Sequence, residues 1–216
     1  MRTVLLDSDP KGMRRPKWIL VLLATALSLI AAGPAAAAGG RALFEGGTPR
    51  QQAQVRSALG ASAFDFNRLP RVTVHIKPGI QTQSQPGHVW LDARLLEAGR
   101  FSWATVQDEF AHQVDFLLLD DGKRALFNAA LGGKDWCYGV PGLGHSAYGC
   151  ERFSSVFAWA FWPAADNPYK PSSAKDESAA MPPAKFRALL GSLLGFADPL
   201  AGKGTAASQR QPLSRK

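Results

Sequence analysis

The chain is poor in cysteine: Cys137 and Cys150 are the only two among 216 residues, and no Cys-x-x-Cys occurs. That excludes a zinc ribbon and a dithiol redox motif. Long apolar runs are scarce too. One stands at Trp18 to Ala32, 15 residues long, short of the roughly 20 that span a bilayer. No Gly-x-Ser-x-Gly elbow, phosphate-binding loop or dinucleotide fingerprint is present, and the spacing of Ser, His and Asp suggests no triad. Basic charge is also missing from where it would matter. The formal +8 comes largely from residues 1–38, with five basic and two acidic groups, and from Lys203, Arg210, Arg215 and Lys216 near the end. The body between them is nearly neutral, so nucleic-acid binding loses its main support.

The first forty residues have the three parts of a secretory signal. Arg14, Arg15 and Lys17 precede the apolar run, Gly33 and Pro34 break it, and Ala35 to Ala38 offer Ala-x-Ala cleavage sites. The competing reading is an uncleaved anchor that tethers a structural protein to a membrane. Cleavage predicts a signal peptide at 1–38, one domain at 39–200 and a disordered basic tail at 201–216. The mature protein would be secreted, a monomer, and free of the membrane. In an oxidising compartment Cys137 and Cys150 are expected to pair, with two free thiols as the alternative. A loop of that size would stabilise by about 3 kcal/mol in the chain-entropy model.

Residues 39–50 are Gly-rich and read as loose. Helices are expected at Gln51 to Leu59, Ala93 to Ala98, Lys123 to Leu131, Glu151 to Trp162 and Pro183 to Leu194. Arg71 to Ile76 alternates as a strand and ends at Lys77-Pro78-Gly79, and His88 to Leu91 reads as a second strand. Gln81 to Gly87 and 164–183 read as loops. The longest helix is expected from Ser102 as N-cap to Asp121, closed by Gly122. Strands early and helices after them predict an α+β fold.

Chemistry concentrates in Asp108-Glu109-Phe110-Ala111-His112-Gln113-Val114-Asp115. At 100° per residue, Asp108, His112 and Asp115 fall within about 60° of each other with Glu109 beside them, opposite Trp103, Val106, Phe110, Val114 and Leu117. Phe116, Leu118 and Leu119 extend the apolar surface around the helix. The polar group is therefore expected to be buried and to need partners or a metal, rather than to form a solvated face. Asp-Glu-x-x-His is one residue away from His-Glu-x-x-His, in which two histidines bind zinc and the glutamate is the general base. Glu151 opens a later helix beside the small residues Ser154, Ser155 and Ala158. Without the other motif it would be a first-turn glutamate favoured by the helix dipole.

The run from Val89 to Trp162 resembles the gluzincin metallopeptidases, in particular the lethal-factor-like secreted group. The resemblance rests on a short strand edging the cleft, the helix continuing as His-x-x-Asp, and a later Glu-x-Phe-Ser-x-x-Phe-Ala; it covers about a third of the chain. It implies zinc and peptide-bond hydrolysis on a peptide or protein substrate. Glu109 would be the base, with Asp108, His112 and Glu151 as metal ligands and Asp115 behind them. His145 or Tyr148 would stabilise the oxyanion; each also reads as a plain loop residue. Asp108 departs from the pattern. It is shorter than histidine, and a second carboxylate weakens the Lewis acid and favours harder metals such as Mn or Ca. An active variant, a different metal site and an inactive exported binding module all remain open. His75, sharing its strand face with Arg71 and Thr73, is expected in solvent, and His88 at an exposed strand end.

Overall fold

A computed structural model describes residues 41–202. The signal peptide read at 1–38 and all but the first two residues of the basic tail lie outside the described residues. Among those described, no helix is long and apolar enough to cross a membrane.

The fold is α+β. Four strands form one mixed sheet: β1 (Ala42–Gly46), β2 (Val72–Lys77), β3 (Gln83–Gln85) and β4 (His88–Asp92), in the order β1-β2-β4-β3. β1 and β4 run parallel to β2, and β3 runs antiparallel to β4 with Ser84 opposite Val89. The helices are α1 (Pro49–Ala61), α2 (Ala93–Glu97), α3 (Trp103–Leu118), α4 (Asp121–Leu131), α5 (Gly149–Phe161) and α6 (Pro183–Leu194).

Alternation fixes which sheet face is covered. Val72, Val74, Ile76, Val89 and Leu91 point into the core, where Val55, Ala58 and Leu59 of α1 and Val106, Phe110 and Val114 of α3 meet them. α5 is apolar around most of its circumference, as a helix in the middle of a core must be. Phe153, Phe157 and Phe161 recur at i+4 and pack on Phe186 of α6 with ring centroids 5.3, 6.3 and 6.4 Å apart. Ser154, Ser155 and Ala158 are small enough to admit α3, the helix with which α5 makes its most extensive contact.

Several expected boundaries move. The segment read as loose contains β1, and Thr48 then caps α1 in a capping box with Gln51. Part of the polar loop 81–87 is β3. Ser102 caps nothing: it is helical, and its hydroxyl donates to the Gly99 carbonyl at 2.7 Å. α3 stops at Leu118 rather than Asp121. Asp120 is extended and accepts from the Lys123 amide at 2.9 Å, so it starts α4, and Gly122 lies inside that helix instead of closing α3. Gly132, at φ 70°, closes α4.

Candidate active site

The middle of α3 is buried on every side from Val106 to Asp115. Its ionisable groups are covered as well: Asp108, Glu109 and His112 are 8, 7 and 8 % exposed, and Glu151 across from them on α5 is 7 % exposed. All four line one cavity of about 710 Å³, walled further by β3 and by the 137–145 loop. The expected burial of this polar group is what the fold delivers.

β3 is held against α3 by two side chains. The Gln113 amide donates to the Gln85 and His88 carbonyls at 2.9 and 3.0 Å and accepts from the Gly87 amide at 2.8 Å, clamping the hairpin. The Ser84 hydroxyl stands 2.8 Å from both the carbonyl oxygen and Oε2 of Glu109, which fixes that carboxylate at the cavity wall. The strand edging the cleft is thus β3, one strand beyond the one expected, and among the described residues no strand pairs with its outer edge.

The far wall hangs on Glu151. Its Oε2 lies 3.0 Å from Nε2 of His145 and 3.5 Å from Nε2 of His112. Nδ1 of His145 reaches Oε1 of Glu177 at 2.8 Å, and the other Glu177 oxygen accepts from Ser155 at 3.2 Å. Tyr138, which also lines the cavity, lies beside Glu151 and helps to hold its carboxyl down. It sits at φ 56°, a left-handed conformation rare outside glycine, one residue after the disulfide-bonded Cys137. The Cys137–Cys150 bond is present as expected, spanning Cα atoms 5.4 Å apart. Gly149 starts α5 because nothing larger fits: an added Cβ would come within 2.3 Å of the Asn128 side chain and 2.8 Å of Trp136.

Burial drives the electrostatics. It raises Asp108 to about 6 against the pull of His112, and raises Glu109 to about 7 with help from the neighbouring Asp108 charge. His112 would be lowered by burial, but the Glu151 and Asp108 carboxylates prevail and raise it to about 9. Burial would raise Glu151 as well; His112 and His145 outweigh it and hold the carboxyl below its usual value. Oδ1 of Asp108 is buried with no hydrogen-bond partner.

Of two further expected residues, one sits away from the cavity and the other is buried behind it. Tyr148 is buried, its hydroxyl donates to the Val140 carbonyl at 2.7 Å, and it does not line the cavity; Tyr138 does. Asp115 accepts from Arg124 at 2.7 Å and from the Trp136 indole at 3.2 Å, so it braces α4 and the cysteine loop. His75 is not simply solvated. Its side chain is 14 % exposed, lies 2.9 Å from Glu45 and 3.0 Å from His88, and stacks on Trp90 away from the cavity. Sequence reasoning passed over Ser84, Gln113, Tyr138, Tyr169 and Glu177. The last two fall in the Pro- and Ser-rich stretch, which carries no periodic signal.

The donor set can be tested against the zinc that the resemblance implies. Two donors on one tetrahedral zinc stand about 3.4 Å apart, given bonds near 2.1 Å. His112 and Glu151, at 3.5 Å, match that separation. The orphaned Asp108 oxygen is a buried acceptor that a cation would satisfy. Asp108 nevertheless stands back. Among the described residues the one group of three His, Cys, Asp or Glu side chains with ligand atoms all within 4.8 Å is Cys137, Cys150 and Glu151. The histidine and the glutamate fit; the aspartate reaches less far than a histidine would.

Compared with known proteins, the chain matches no protein-family model, no curated protein and no solved structure.

Proposed function

We propose that the chain is a metal-dependent peptide-bond hydrolase that works outside the cell. The observation that carries this reading is that Glu109, His112 and Glu151, from two helices, open into one cavity beside a strand edge with which no described strand pairs. An extended peptide would add to β3 through main-chain hydrogen bonds and lie across the cavity. Glu109, tuned to about 7 and positioned by Ser84, takes the proton of the attacking water and delivers it to the leaving amine. His145 and Tyr138, which flank Glu151, would be free to donate to the developing oxyanion once a metal took up the Glu151 carboxylate that now engages them. His112 and Glu151 would hold the metal, with Asp108 as the third ligand. A zinc-class cation held there would supply Lewis-acid chemistry, polarising a scissile carbonyl and making bound water more acidic. The disulfide supports an oxidising compartment.

The set-back position of Asp108 favours a second reading, in which the site is inactive and the cavity binds peptides without cutting them. Cleavage of a peptide library by the wild type and by Glu109→Gln separates the two. The hydrolase reading predicts a loss of about 10²–10⁴-fold in Glu109→Gln. Peptide binding with no cleavage by metal-loaded wild type would establish the inactive module, and equal cleavage by both forms would mean that Glu109 is not the base.

A further inference from the structure

Glu151 faces two ways. Its Oε2 is engaged by His145 and His112, while its Oε1 lies 3.7 Å from Sγ of Cys150. No hydrogen joins that second pair, because both sulfurs belong to the disulfide. The sulfurs of Cys137 and Cys150 and a Glu151 oxygen all lie within 4.8 Å of one another. Ligands on one zinc-class ion, with bonds of about 2.3 Å to sulfur and 2.0–2.2 Å to oxygen, stand roughly 3.5–3.8 Å apart, so the sulfur–oxygen separation already suits a shared ion.

We propose that reduction of the Cys137–Cys150 bond turns this wall of the cavity into a second metal site. In it the two thiolates and the Glu151 carboxylate bind a thiophilic divalent cation. The ligands stay together when the bond is cut, because the loop is zipped independently of it. The Gly149 amide donates to the Asp135 carbonyl and the Cys150 amide to the Trp136 carbonyl, both at 2.8 Å. Arg152 further ties α5 to the Ser146 and Leu131 carbonyls at 2.6 and 2.7 Å. Soft sulfur ligands prefer zinc over calcium or magnesium. Cys137 lines the cavity, which gives both reductant and metal a way in. Reduction by a phosphine is balanced: phosphine, water and disulfide give phosphine oxide and two thiols, and each thiol releases its proton to solvent when the cation binds.

The sulfur site does not depend on the hydrolase reading, though its consequence does. Both sites would draw on the one Glu151 carboxylate, through its two oxygens, so in a hydrolase a cation on the sulfurs would weaken the hold of Glu151 on the metal in the cavity.

The test uses the full chain, stripped of metal, reduced with a water-soluble phosphine under inert gas and titrated with cobalt(II). The expected result is near-ultraviolet sulfur-to-cobalt charge-transfer absorption, saturating at about one equivalent, in the reduced protein and not in the oxidised one. Cys137→Ser and Cys150→Ser should each lose the sulfur absorption or most of it. Glu151→Gln should keep sulfur ligation but bind about tenfold more weakly or worse. The proposal is overturned if the reduced wild type shows no such absorption, if either serine variant retains it fully, or if Glu151→Gln binds as tightly as wild type. Circular dichroism of the same samples covers loss of folding: an unfolded reduced chain that cobalt does not refold also overturns it. Metal content and cleavage of the oxidised protein do not enter this outcome.

Discussion

The two ends of α5 both bury charge, and they do so differently. At the C-terminal end Arg187 of α6 donates to Asp198 at 2.7 Å and to the Ala160 carbonyl at 2.9 Å. Asn167 closes the neighbouring Ala158 and Trp162 carbonyls at 3.0 and 2.7 Å. Each of these groups has a fixed partner. At the N-terminal end Asp108, Glu109 and Glu151 share one cavity with His112 and the more exposed His145, and one Asp108 oxygen has no partner at all. Charges balanced on the spot serve architecture. Like charges buried together, with ionisation displaced, are the arrangement in which binding and catalytic sites are more often found.

The contrast can be broken at either end. The largest effect is expected from Glu151→Gln in the oxidised protein, which removes a metal ligand and should lower peptide cleavage by about a thousandfold, the several kcal/mol that a Lewis acid supplies. Metal analysis and cleavage assays on one preparation check it, and unchanged cleavage would remove Glu151 from the machinery. Asp198→Ala should lower unfolding free energy by about 2–4 kcal/mol, because Arg187 loses its countercharge, with cleavage per folded molecule intact. Denaturant titration reads this. Asp108→Asn should move stability the other way in metal-free protein, by about +1 kcal/mol, because it removes a buried carboxylate lacking a full set of partners. A loss there would mean that the Asp108 charge is already satisfied. Asp108→His, the replacement that lengthens the third ligand, should tighten zinc binding in a competition titration.

Acid provides the smallest and most selective difference. Burial would raise the Asp198 carboxyl, but Arg187 and the Leu200 amide outweigh it and hold it below the ordinary value of 3.8. A carboxyl lowered by folding adds stability that is present above 3.8 and lost as pH falls through the folded value. Asp198→Asn should therefore flatten the decline of unfolding free energy with acid below about pH 4. An unaltered decline would show that the pair contributes nothing there.

How much of this was legible in the sequence depends on the range of the interaction that makes each feature. The spacing along α3 and the position of Glu151 were readable, because helical periodicity is local and a buried polar face leaves a mark. The disulfide was readable from composition. β1 was not: Ala42 to Gly46 is a strand because it pairs with β2 some 30 residues on, and its flanking glycines read as loop. β3, Gln-Ser-Gln, has no apolar alternation and exists because β4 pairs with it and Gln113 clamps it. The end of α3 held a signal that was misassigned, since Asp120 followed by Lys123 is an N-cap as readily as a helix interior. Tyr138 and Glu177 come from irregular segments, and only the closed loop and the short turn at Glu177–Ala179 bring them to the cavity.

In the proposed function, the carboxylates gathered at the N-terminal end of α5 surround a cation. The direct measurement is the metal content of oxidised wild-type protein after equilibration with zinc and exhaustive dialysis. About one equivalent is expected, retained by Glu109→Gln and lost by His112→Ala. A wild-type protein that keeps no stoichiometric metal would contradict it.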